Sequence, residues 1–149
     1  MDLRTLLFTF DGRINRAKYW LGVLITFAAL IAAGIVGSAF GWVLGEETGI
    51  LAVFIVLAVV AVFAAWIAVA TGIKRLHDRE KTGWWLLVFY VVPGMLDGVG
   101  SASPDGVGGF FFTLVGLGIS VWGLVELGCL KGTTGPNAYG PDPLPAEVG

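Results

Sequence analysis

The sequence predicts an all-α integral membrane protein: a bundle of four transmembrane helices, both termini cytoplasmic, with a short interfacial helix at the N-terminus. Three observations predict it. Of the 149 residues 56% are hydrophobic and only 13% charged, where a soluble domain carries about a quarter charged residues. The mean hydropathy is +0.85. The apolar residues gather in long uncharged runs, and the nine Lys and Arg residues fall in the intervals between them.

The chain is expected to form one membrane domain over residues 1–149, with no linker and no internal repeat. Residues 1–18 carry Arg4, Arg13, Arg16 and Lys18, and Leu3, Leu6, Leu7 and Phe10 recur at the i, i+3, i+4, i+7 spacing of one helical face. That pattern fits a helix lying on the membrane surface. It does not fit a typical secretory signal, because the apolar run that follows is longer than an h-region and has no small-residue cleavage site. Residues 19–44 carry no charge and are long enough to cross a hydrocarbon core of about 30 Å. Within them Ala29, Ala33, Gly37, Gly41 and Gly45 are spaced by four, a stripe on which another backbone can approach closely. Glu46 and Glu47 mark a polar turn before the second span, residues 50–73, whose small residues Ala58, Ala61, Ala65, Ala68 and Gly72 predict a second packing seam.

The third apolar segment, residues 84–99, is short for a crossing, and Pro93-Gly94 should kink or end it. A re-entrant segment is the alternative. Gly98 to Gly109 reads as a flexible loop. Residues 110–130 form the last span, with Thr113, Gly116, Ser120 and Gly123 as its small seam. The tail, residues 131–149, contains Gly135-Pro136, Pro141, Pro143 and Pro145 and cannot be a long helix. It is either a structured turn region or a loose tail.

With four crossings every Lys and Arg falls on one side: before the first span, between the second and third, and after the fourth. Short loops so biased face the cytoplasm, which places both termini inside. Tyr19, Trp20, Trp84 and Trp85 then flank the inner interface.

The densest polar stretch is Lys74-Arg75-Leu76-His77-Asp78-Arg79-Glu80-Lys81. A His beside a carboxylate suits a general base, a metal ligand or a pH-sensitive contact. A metal needs three or more ligands, and there is no second histidine or thiolate pair to supply them. A structural role is the favoured reading. No nucleophile triad or phosphate-cradling loop stands out, so neither an enzyme nor a cofactor is expected. The single Cys129 excludes an intramolecular disulfide and is expected to be a small buried residue near a helix end. Glu126, an intramembrane acid, is expected to pair with Lys131, Lys74 or Arg75 rather than to carry protons or ions.

Three separated motifs add a resemblance. Phe10-Asp11-Gly12-Arg13-Ile14-Asn15-Arg16 with Tyr19-Trp20, Lys74 to Asp78 with Gly83-Trp84-Trp85, and Gly135-Pro136-Asn137 with Tyr139-Gly140-Pro141-Asp142-Pro143 together resemble the signatures of the YhaH-like bacterial inner-membrane proteins, domain of unknown function 805. The likeness runs from about Leu6 to Pro143. Lys74 stands where an arginine is commoner, and Ala138 where a basic residue is common. The resemblance implies a four-helix inner-membrane domain and no established activity.

If all three motifs emerge on the cytoplasmic side, they meet in one composite site of Arg13, Arg16, Arg75, His77, Asp78, Asn137 and Tyr139. Asp78 is expected to accept hydrogen bonds from Arg13 or Arg16, with the 137–143 segment folded back over the loop. Such a site either locks the helix ends or leaves Arg75 and His77 to hold an anion. The expected partners are anionic lipid head groups, drawn by about 1 kcal/mol per close cation, or a protein, a second copy included, and no nucleic acid. The alternative function is a small channel or transporter.

Overall fold

The computed structural model describes residues 2–102 and 106–144, the side chain of residue 46 excepted. Among the described residues all the regular structure is helical and there is no strand. The predicted Gly/Ser loop and the tail fall partly outside them. The chain divides into two compact units. One holds the residues before Asp11 together with Trp20–Thr71, the other Asp11–Tyr19 together with the chain from Gly72 onward.

In the first unit, helix α1 spans only Leu3–Phe8. Asp2 caps it, its Oδ1 accepting from the Thr5 N–H at 2.8 Å, and Leu6 and Leu7 are buried. Phe10 lies beyond the helix, its ring 5.0 Å from that of Trp66. The predicted interfacial helix over residues 1–18 is therefore shorter than its periodicity suggested, because Phe10 finds its partner from an extended segment.

Helices α2 (Arg16–Leu44) and α3 (Glu46–Asp78) form an antiparallel hairpin. The expected Glu46-Glu47 turn is instead the single residue Gly45, at φ +83°, a left-handed conformation that glycine adopts without a Cβ clash. The backbones close most tightly at Gly41 and Gly49, where a Cβ on Gly49 would sit 2.7 Å from Gly41 Cα. Gly37 lies against Val53, and a Cβ on Gly22 would meet Thr71 Cγ2 at 2.8 Å. Ala33, Gly37 and Gly41 of the predicted stripe thus face α3, while Ala29 is exposed. The seam predicted on α3 is corrected more sharply, since Ala58, Ala61 and Ala65 are all exposed. Small residues occur on more than one face of this helix, and the register fixed at Gly49 turns the face through Val53, Val60, Ala64 and Ile67 inward. At 33 residues α3 is about 50 Å long. Lys74 to Asp78, expected in a loop, are its last turn.

In the second unit a π-helical turn, Leu87–Val91, leads into α4 (Val92–Ser101), and α5 (Gly106–Leu124) leads into a second π turn, Val125–Cys129. The helix does not end at Pro93 but continues through it to Ser101. The proline comes just after the π turn, and that wider turn makes room for the ring. Helices α4 and α5 pack antiparallel through glycines. A Cβ would meet Gly100 O at 2.8 Å from Gly109, Pro93 O at 3.4 Å from Gly116, and Phe89 Cβ at 2.9 Å from Gly123. Thr113 and Ser120, placed in this seam by sequence, are exposed. Cys129 is also exposed, against expectation, at the end of the π turn.

Among the described residues three helices are long and apolar enough to cross a membrane: Arg16–Leu44, Glu47–Asp78 and Gly106–Cys129. The apolar helix Leu87–Ser101 is shorter, about 22 Å. The outward faces carry large apolar side chains such as Phe27, Ile35, Phe54, Val62 and Phe111, each more than half exposed. A soluble protein would bury such surface, and lipid covers it here.

Candidate functional site

The polar residues collect within the second unit, around the C-terminal turn of α3. A helix end leaves carbonyls without partners, and here each of the last three is satisfied. Lys81 N–H reaches Leu76 O at 2.9 Å and Glu80 N–H reaches His77 O at 3.1 Å, the paired bonds of a Schellman cap. Glu80 takes the left-handed position at φ +56°, where glycine is usual. Asp78 O accepts from Thr133 N at 2.8 Å and from Thr133 Oγ1 at 3.2 Å.

Residues 12–14 run along this turn. Gly12, at φ +87°, presents its carbonyl to His77 Nδ1 at 3.3 Å, and Ile14 N–H donates to Lys74 O at 3.3 Å. Because a carbonyl only accepts, His77 carries its proton on Nδ1. Asn15 then caps α2, its Oδ1 accepting from Lys18 N–H at 3.0 Å. The cap separates the two candidate arginines. Arg13 lies inside the turn, whereas Arg16 starts the helix and donates to Cys129 O at 2.8 Å.

Asp78 therefore meets Arg13 and not Arg16. Its Oδ1 accepts from Arg13 Nε at 3.2 Å and Nη2 at 3.1 Å, and its Oδ2 from Arg75 Nη1. Arg13 also donates to the carbonyls of Gly135 at 2.7 Å, Thr133 at 2.6 Å and Gly140 at 3.3 Å. Arg75 also donates to Leu127 O at 2.8 Å and to Leu130 O. The three charged residues are 4%, 0% and 2% exposed for Arg13, Arg75 and Asp78. An acid at a helix C-terminus is unfavourable by itself, and two guanidinium groups compensate it.

The closing segment lies over this cluster. Asn137 Nδ2 donates to His77 O at 2.9 Å and to Thr133 Oγ1 at 3.0 Å. Tyr139 stacks on His77, ring centroids 3.9 Å apart and planes within 5°. Asn137 and Gly140 exchange backbone hydrogen bonds across a tight turn. Asp142 accepts from the backbone N–H groups of Leu144 and Gly135, which hold its carboxyl below the usual carboxylate range. Arg75 and His77 were candidates for binding an anion. Arg75 has partners at Nε and both Nη atoms, and one face of the His77 ring is stacked on Tyr139.

Glu126, 4% exposed, pairs with Arg79 Nε at 3.0 Å and Lys81 Nζ at 3.7 Å. The expected partners Lys131, Lys74 and Arg75 are corrected. The π turn around Glu126 and the Schellman cap that reverses the chain after Asp78 bring Arg79 and Lys81 to it. Sequence reasoning also missed Thr133 and Gly132. A Cβ on Gly132 would overlap the Asp78 carboxylate. A glycine separated by one residue from the last apolar run is the available signal for the second, and Thr133 has none.

Among the described residues no three His, Cys, Asp or Glu side chains are grouped to hold a metal ion. A groove of about 820 Å³ opens beside the cluster, with Arg16, Lys131, Thr134, Asp142 and Leu144 among its walls.

Comparison with known proteins now bears on the assignment. A family profile described as protein of unknown function (DUF805) matches residues 7–141. The chain is a member of the DUF805 family. It is similar to the uncharacterized protein YiiR of Escherichia coli K12, 32% identical over 95% of this chain and 90% of that one. It is also similar to the inner membrane proteins YhaH and YhaI of the same strain, at 28% and 32% identity, covering 90% of this chain and 86% and 85% of theirs. No solved structure matches. This DUF805 protein is thus a bacterial membrane protein of a family without established function. The three motifs that carried the resemblance supply most of the side chains around Asp78.

Proposed function

We propose that this DUF805 protein is a non-enzymatic membrane module whose cytoplasmic face binds anionic lipid head groups, with four crossings and both termini inside. The observation that carries the reading is how the charges are spent. Asp78 is taken up by Arg13 and Arg75, and Glu126 by Arg79 and Lys81. Arg16 and Lys131 have no carboxylate partner among the described residues, and both are exposed. Exposed cations at the membrane boundary attract anionic lipid.

The topology has support within the second unit. Hydrogen bonds from Thr133 and Asn137 to Asp78 and His77 support placing the ends of α3 and α5 on one side of the membrane. On this reading the chain between them crosses an even number of times. Because the π turn and α4 pack along α5 from Phe89 to Gly100, Leu87–Ser101 serves as the fourth crossing on this reading despite its length.

Lipid retained by the purified protein tests the function. An excess of phosphatidylglycerol or cardiolipin over the bulk membrane is expected, and a bulk composition would overturn the reading. Solute flux in proteoliposomes would favour a channel or transporter instead. For topology, with Cys129 replaced, Glu47→Cys should react with an impermeant maleimide in intact cells and Glu80→Cys should not. Labelling at position 80 would refute the orientation.

A further inference from the structure

We propose that the groove beside the Arg13–Asp78–Arg75 cluster is a discrete seat for one glycerophospholipid phosphate, held between Arg16 and Lys131. The inference rests on the lipid-binding reading and sharpens it from a diffuse basic surface to a single saturable site. Its volume of about 820 Å³ lies in the range of small-molecule sites and far exceeds a bare ion. Of its two acidic wall residues, Asp78 is paired with two guanidinium groups, whereas Asp142 accepts from two backbone N–H groups and keeps its charge. The lining carries three cations, Arg16, Arg75 and Lys131, against the two carboxylates of Asp78 and Asp142, so the groove presents an excess of positive charge to an anion.

Depth selects lipid over soluble phosphate. Arg16 is the first residue of a candidate span, and Lys131 follows the last residue of another, Cys129, by two positions. Both cations stand where the apolar helices end, the level of the lipid phosphate. The exposed Leu144 in the wall adds an apolar contact for the glycerol and upper acyl region. Because Arg16 is anchored to Cys129 O, its guanidinium enters the site already positioned.

The test titrates short-chain phosphatidylglycerol into the detergent-solubilised full chain and follows binding by calorimetry. Arg16→Gln and Lys131→Gln should each weaken binding about fivefold, the factor for roughly 1 kcal/mol per cation, and the double variant about 25-fold. Arg16→Lys should retain most of the affinity, which separates loss of charge from loss of fold. Arg4→Gln and Lys18→Gln should change little. Equal losses in those two would overturn the groove while leaving a diffuse lipid-binding surface intact. Soluble glycerol phosphate binding as tightly as the lipid would overturn the lipid as its ligand. Equal binding of phosphatidylcholine would overturn both the seat and the proposed function.

Discussion

Replacing Asp78 by Asn keeps the shape of the side chain and removes the carboxylate that bridges two buried guanidinium groups. The structure shows what is lost: charge-assisted bonds from Arg13 Nε and Nη2 and from Arg75 Nη1. An amide oxygen still accepts from Arg13, but the amide nitrogen then faces an Arg75 donor. Removing one partner of a buried ion pair costs about 3–5 kcal/mol, because the remaining charge stays desolvated. Arg13 retains its carbonyl partners at Gly135, Thr133 and Gly140, and Arg75 retains Leu127 O and Leu130 O, which places the expected loss near 3 kcal/mol. Unfolding in detergent followed by tryptophan fluorescence measures it, and the six tryptophans supply the signal. Arg13→Gln and the double variant complete a cycle, in which the double should lose about 1–3 kcal/mol less than the sum of the singles. Limited proteolysis should cut within residues 133–144 in Asp78→Asn and spare them in the parent. A loss below about 1 kcal/mol, or additivity within about 0.5 kcal/mol, would refute the idea that Asp78 holds the helix ends together.

Other expectations follow from the same geometry. Gly132→Ala should destabilise by about 1–3 kcal/mol, since the new methyl competes with the Asp78 carboxylate, and a neutral result would mean that the 131–133 backbone shifts freely. Gly49→Ala should lower the melting temperature in detergent well below that of Ala65→Leu, because only the former lies at the closest approach of α2 and α3. Glu80→Gly should raise stability by up to about 1 kcal/mol by relieving a left-handed residue in the Schellman cap, the gain being tempered by the freer unfolded chain. Asp142 has a lowered carboxyl pKa in the fold, so its contribution is present above the unfolded value of about 3.9 and is lost as pH falls through the folded one. Protease access to residues 135–144 should therefore rise in acid below about pH 4, and Asp142→Asn should show that access already at neutral pH.

The sequence by itself determined that the chain lives in a membrane and where its apolar runs lie, because hydropathy and the absence of charge are sums along the chain that need no partner. It also marked the polar residues that matter, since charge in so apolar a chain is costly and is kept where it has work. What it did not decide was which of them meet. Arg13 and Arg16 are indistinguishable in composition, and the Asn15 cap alone sends one to Asp78 and the other to Cys129 O. The partners of Glu126 depended on a π turn and a non-glycine Schellman cap, neither of which has a periodic signature. The packing face of α3 depended on register, because alanines lie on several faces and only the contact at Gly41 and Gly49 selects one. Burial along a helix is a local average, whereas a hydrogen bond requires two groups at one distance and angle. Only the tertiary structure supplies that.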